Sequence, residues 1–166
     1  MATLSSGASH QGKIDFDNLQ GERVCKPMFQ PYAQSKLADL IFAQELQRRL
    51  TAVGSPIIST AAYSGYAATN LQADHVGPGL KLVMAVIKPL LSQDAAHGAL
   101  PTLFAAVAAE AVPGGSYGPD GIAELKGHPT AVRLAKEAMD PVVAKRLWIE
   151  SERLTNVKYG ALFGVV

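Results

Sequence analysis

The stretch from Tyr32 to Leu50 constrains the fold more than any other part of the sequence. Pro31 stands at its start, where a fixed φ and a missing N–H suit the first turn of a helix, and neither Gly nor Pro interrupts the run to Leu50. Leu37, Leu40, Ile41, Phe42 and Leu46 spread around most of the helix circumference rather than along one stripe. A helix apolar on so many sides must be covered on more than one of them.

The neighbouring segments supply that cover. After the turn residues Gly54, Ser55 and Pro56, the run Ile57 to Tyr63 has the β-branched content and length of a buried strand ending at Ser64 and Gly65. Ala2 to Ser6 reads as a short buried strand. Gly7 to Pro31 reads as a long, locally packed loop with isolated apolar residues Ile14, Phe16 and Leu19. Leu80 to Leu91 and Ala95 to Ala111 read as two helices, the second capped from Ser92, Gln93 and Asp94. Gly114 to Gly127 predicts a short last strand, and Pro141 opens an amphipathic helix through Leu147, Trp148 and Leu154, with Trp148 as a core anchor. The order strand, helix, strand, helices, strand, helix predicts an α/β fold with a parallel sheet and crossover helices.

Composition narrows the function classes. A chain of 166 residues with 48% hydrophobic and 17% charged residues fits one soluble globular domain spanning residues 1–166. Fifteen basic residues against fourteen acidic ones leave a net charge of +1, so no field draws in nucleic acid or an anionic membrane. The longest apolar stretch, Leu80 to Leu91, is broken by Lys81, Lys88 and Pro89 and falls short of the roughly 20 residues a membrane span requires. The opening MATLSSGASHQGK lacks the basic start and apolar core of a secretory signal. The lone cysteine, Cys25, cannot form an intramolecular bridge, which suits a reducing compartment, so a cytoplasmic location is expected. His10, His75, His97 and His128 fall in separate segments without ligand spacing, so no metal site is expected.

Chemistry enters with YAQSK. Tyr32 and Lys36 are four residues apart on the predicted helix, which puts them on one face, about one turn apart. An ammonium beside a phenol favours phenolate and lowers the tyrosine pKa, giving a proton donor and acceptor usable near neutral pH. Carbonyl reduction by hydride needs such a group, together with a second donor to hold the oxygen. Ser6, at the end of a predicted parallel strand, is the candidate for that second donor.

The blocks TLSSGASHQGKIDFDNLQ, YAQSKLADLIFAQELQRRL and STAAYSGYAATNLQ, in this order and spacing, resemble the short-chain dehydrogenase/reductase family over most of the chain. The resemblance is nearest to the branch of retinol dehydrogenases and WW-domain oxidoreductases. It implies Tyr32 as general acid/base and, with Lys36, as a cofactor-binding residue, Lys36 as the catalytic residue that tunes it and binds the nicotinamide ribose, and Ser6 as the oxygen-holding serine, with Ser5 a weaker candidate. Ser35 is implied to pack or to contact the cofactor. Gly65 and Thr69 are implied to line the nicotinamide pocket, Thr69 having the alternative of capping a short helix. Where relatives carry a Pro-Gly turn this chain has Ser64 before Gly65, a change expected to loosen the pocket. NAD or NADP is the implied cofactor and a small alcohol/carbonyl pair the implied substrate.

Relatives also carry a glycine-rich turn between a first strand and helix, where the pyrophosphate binds. No such block occurs in this sequence; its clustered glycines, in GPG and PGGSYG, do not lead from a strand into a helix. The expectation is therefore a partial Rossmann-type sheet, the C-terminal half of the family fold, with its first strand an exposed edge. Such a chain is expected to form homo-oligomers through the helix of residues 32–50. Two functions are consistent with these features: an NAD(P)-dependent oxidoreductase, or a non-catalytic remnant serving as an interaction module.

Overall fold

The computed structural model describes residues 1–23, 29–66 and 92–160. Among them a four-stranded sheet is formed by β1 (Ala2–Leu4), β2 (Thr60–Ala62), β3 (Ser116–Pro119) and β4 (Pro129–Ala131), in that spatial order. β1 and β2 are parallel, as are β2 and β3, while β4 returns antiparallel with Ala131 opposite Tyr117. Three α-helices accompany it among the described residues: α1 (Gln30–Ala52), α2 (Ala95–Val107) and α3 (Pro141–Thr155). The architecture is α/β with a mostly parallel sheet, in line with a partial Rossmann-type fold.

The two-residue period of a strand divides the layers. Ala61 of β2 joins Leu37, Leu40 and Ile41 of α1 in one apolar cluster, whereas Ala62 joins Ala105 of α2 and Tyr117 of β3 in another. Small side chains in β2 let both helices approach its backbone. The hydroxyl of Ser59, just before the strand, donates to the Ala43 carbonyl of α1 (3.0 Å), and that of Thr60 to the Ala105 carbonyl of α2 (2.9 Å). A polar pair in the centre of the fold is thereby satisfied on both faces.

Helix α1 stops where the sequence dictates. Gly54 adopts φ 64°, its amide reaches the Thr51 carbonyl (3.1 Å), and the Ser55 amide reaches that of Leu50 (3.0 Å), the paired bonds of a Schellman ending. Helix α3 begins as cleanly, with Pro141 in its first turn and the Asp140 carboxylate accepting from the Val142 (2.8 Å) and Val143 (3.3 Å) amides. The two helices meet at Trp148, which stacks on Phe42 with ring centroids 5.4 Å apart and planes nearly parallel and carries the Arg49 guanidinium over its face at 4.4 Å. Beside them Glu45 is buried, accepting from both Arg48 and Arg49.

Several expectations change. The strand expected over 57–63 begins only at Thr60, because β1 offers backbone partners to Thr60, Ala61 and Ala62 alone; Ile57 is left 55% exposed. β1 is partly exposed rather than buried, Leu4 above all, and among the described residues it lies at the sheet edge, as expected of a partial sheet. Helix α2 ends at Val107 instead of Ala111, since Ala108 turns to an extended conformation, and its cap is Asp94, accepting from the His97 amide (2.8 Å), rather than Ser92. The segment 114–127 yields β3 and a 3-10 turn over Ile122–Glu124, and β4 lies beyond it. The long loop opens with a 3-10 helix, Gly7–Gln11, whose end abuts α1: a Cβ on Gly12 would stand 2.5 Å from the Ala33 carbonyl oxygen. The helix expected over Leu80 to Leu91, along with Cys25, Thr69 and His75, lies outside the described residues.

Candidate active site

The C-terminal end of β1 is tied to the second turn of α1 by two bonds in opposite directions. Ser5 Oγ donates to the Lys36 carbonyl (2.7 Å), and Lys36 Nζ donates to the Leu4 carbonyl (3.3 Å). The Lys36 ammonium also meets Asp39 Oδ2 at 2.9 Å, one helical turn further on. Tyr32 sits one turn before Lys36 on the same helix face, about half exposed, its ring tilted against that of Phe29 at 5.9 Å. Its hydroxyl makes no hydrogen bond among the described residues, and Ser35 Oγ donates to the Tyr32 carbonyl (2.8 Å). Ser6 comes directly after Ser5 and caps the 3-10 helix, its Oγ accepting from the Ala8 amide at 3.2 Å. That bond leaves the hydroxyl proton available to another acceptor. Of the two serines, Ser5 is the one whose hydroxyl proton is committed, to the Lys36 carbonyl.

The turn after β2 carries the remaining described candidate, Gly65. Gly65 adopts φ 64°, and a Cβ there would overlap the Leu125 carbonyl oxygen, so both conformation and space call for glycine. The Tyr66 amide donates to that same carbonyl (2.7 Å). Gln93 braces the turn from the other side: its Nε2 donates to the Ser64 carbonyl (2.8 Å), its Oε1 accepts from the Gly127 amide (3.0 Å), and its amide donates to the Tyr66 carbonyl (3.0 Å). Proline's constraint is gone at Ser64, and these bonds hold the turn from outside. Tyr63 is buried and its phenol donates to the Glu124 carboxylate. Burial pushes the Tyr63 phenol far above its ordinary pKa, and the carboxylate pushes it further, so Tyr63 stays protonated and serves as a donor.

Asp39, Gln93 and Glu124 are absent from the sequence-based candidates. Asp39 was within reach of spacing arguments, being three residues from Lys36 on a helix. Gln93 and Glu124 are not: Glu124 stands 61 residues from its partner Tyr63.

The donor set suits the nicotinamide end of a dinucleotide. Lys36 is a cation with three protons and two partners, and Tyr32 and Ser6 present hydroxyls. Among the described residues no glycine-rich turn leads from a strand into a helix to receive a diphosphate. No group of three or more His, Cys, Asp or Glu side chains converges there as a metal site would, and no described helix is long and apolar enough to cross a membrane.

No family model matches the chain. It is 34% identical over 166 residues to polyprenol dehydrogenase of Mus musculus, covering 99% of this chain and 47% of that protein. It is 37% identical over 160 residues to retinol dehydrogenase 13 of Homo sapiens, covering 93% of this chain and 45% of that protein. A short chain dehydrogenase/reductase of Macrophomina phaseolina is 37% identical over 130 residues, covering 73% of this chain and 57% of that protein. A crystal structure of an uncharacterised protein from Mycobacterium paratuberculosis superposes with a TM-score of 0.71 at 34% identity, covering 95% of this chain and 50% of that one. The chain thus spans about half the length of the first two of these relatives and of the crystallised protein. With that sheet order and these relatives in agreement, the chain belongs to the short-chain dehydrogenase/reductase family.

Proposed function

We propose that the chain carries the catalytic machinery of an NAD(P)-dependent oxidoreductase acting on an alcohol/carbonyl pair. The observation that carries this reading is the reciprocal bonding of Lys36 to the end of β1, with Tyr32 one turn before it and Ser6 one residue past the anchor Ser5. A nicotinamide, when bound, would supply the hydride for the carbonyl carbon. Tyr32 delivers a proton to the carbonyl oxygen, Ser6 donates a hydrogen bond that holds that oxygen, and Lys36 stands by Tyr32 as a fixed positive charge and would hold the ribose hydroxyls. Gly65 and Thr69 complete the proposed cofactor-binding set, as the family resemblance implies, Thr69 lying outside the described residues. The reverse reaction uses the same groups, with Tyr32 taking the alcohol proton.

Two relatives are named for polyprenol and retinol, so aliphatic and retinoid-like aldehydes are the substrates to try first. The test is stoichiometric: with such an aldehyde, one NADH or NADPH is consumed for each alcohol formed, and Ser6→Ala slows the rate by about tenfold or more. Turnover that ignores Ser6, or none with either cofactor, contradicts the assignment.

The same proposal includes self-association and, with Cys25 as support, a reducing cytoplasmic setting. Among the described residues β1 is an edge of the sheet, Leu4 is 54% exposed, and Tyr32 and Phe29 are about half exposed at the start of α1. Sedimentation equilibrium is expected to give a mass above that of one chain; a single 17.5 kDa species at all concentrations would contradict it.

A further inference from the structure

We propose that Tyr63, Glu124 and Gln93 form a latch that sets the position of the Ser64–Gly65 turn, with Glu124 as a positioning residue of the nicotinamide pocket; the pocket's identity rests on the oxidoreductase reading above. Tyr63 is the last residue before the turn. Its ring is fixed against β3, since a Cβ on Gly118 would lie 2.7 Å from it, and its phenol reaches across to the Glu124 carboxylate. The next residue in the chain, Leu125, supplies the carbonyl that accepts the Tyr66 amide and that walls in Gly65. Position and bonding of the turn are therefore coupled to Glu124 through one peptide unit. Gln93 closes the frame by spanning Ser64 and Gly127, so the turn and the 120–127 loop move together or not at all.

The backbone supports this assignment independently. Ala123 and Glu124 adopt φ 52° and 57°, a left-handed conformation in which glycine is the default and side chains are disfavoured. Two successive residues of this kind, neither glycine, are a local outlier of the sort that marks a functional constraint. Here the outlier carries the Glu124 carboxylate to a buried phenol.

The latch is tested on the full chain by residue-resolved amide exchange, with Glu124→Gly, Glu124→Gln and Tyr63→Phe. Glycine removes the carboxylate but accepts the left-handed backbone, glutamine keeps an acceptor, and phenylalanine keeps the ring. The Tyr66 and Gly127 amides are expected to exchange about tenfold faster in Glu124→Gly and Tyr63→Phe, with Glu124→Gln near wild type and Ala61 unchanged throughout. Wild-type exchange at Tyr66 in Glu124→Gly, or equal acceleration at Ala61, overturns the latch. NADH affinity is measured alongside, and the same two variants are expected to weaken it about tenfold while Glu124→Gln does not. If wild type binds NADH and Glu124→Gly binds it equally well, the positioning role is overturned. If wild type binds no NADH, the oxidoreductase reading fails instead, and the exchange rates still decide whether the latch exists.

Discussion

Replacing Tyr32 with phenylalanine is expected to lower the rate of carbonyl reduction by about 10²- to 10⁴-fold, the range typical of removing a general acid. The substitution is clean for a structural reason. The phenol makes no hydrogen bond among the described residues and the ring is 48% exposed, so its loss leaves neither an orphaned partner nor a cavity. Melting temperature should therefore stay near wild type while turnover collapses. A parallel fall in stability and rate would mean that Tyr32 acts through the fold rather than through its proton.

The second large effect is on stability. Glu45 is 2% exposed and accepts three hydrogen bonds from Arg48 and Arg49 at 2.6–2.8 Å, with Arg49 in turn seated on Trp148. Glu45→Ala breaks this arrangement from its buried end and is expected to destabilise the chain by about 3 kcal/mol, measured by urea unfolding. Burial by itself would raise the Glu45 pKa, but the bonds and charges of the two arginines outweigh it and hold the carboxyl below its ordinary range. A carboxyl depressed in the folded state stabilises fully above its unfolded pKa, about 4.3. That contribution is lost as pH falls below this value and through the lower folded pKa. Glu45→Gln should thus flatten the acid limb of the stability profile relative to wild type. An unchanged acid limb would show that the pair contributes nothing.

How much of the fold was legible in the sequence depended on how local each signal is. Helix α1 was readable because Pro31, the apolar residues around its circumference and Gly54 all speak within one segment, and α3 because Pro141 opens a run with Leu147, Trp148 and Leu154 at amphipathic spacing. Strand β4 was not, since Pro129, Thr130 and Ala131 are short, poorly buried and free of alternation; only its pairing with Tyr117, Gly118 and Pro119 makes it a strand. The shortened β2 has the same origin: Ile57 and Ile58 have β-forming side chains, but their extent as a strand depends on the length of β1. Tyr32 and Lys36 were legible as a pair because helical spacing alone brings them to one face. Nothing in the letters of Ala123 and Glu124 announces a left-handed backbone, so the carboxylate that meets Tyr63 came into view only with the fold.

The central claim is that this 166-residue chain offers a nicotinamide a place beside Tyr32 and Lys36. Titrating NADH and NADPH while monitoring cofactor fluorescence tests it directly, with Lys36→Met as the paired variant. Saturable binding at or below about 1 mM is expected for at least one of the two, weakened about tenfold by Lys36→Met. A flat signal for both cofactors through that range would contradict the claim and leave the chain a family member without the family's chemistry.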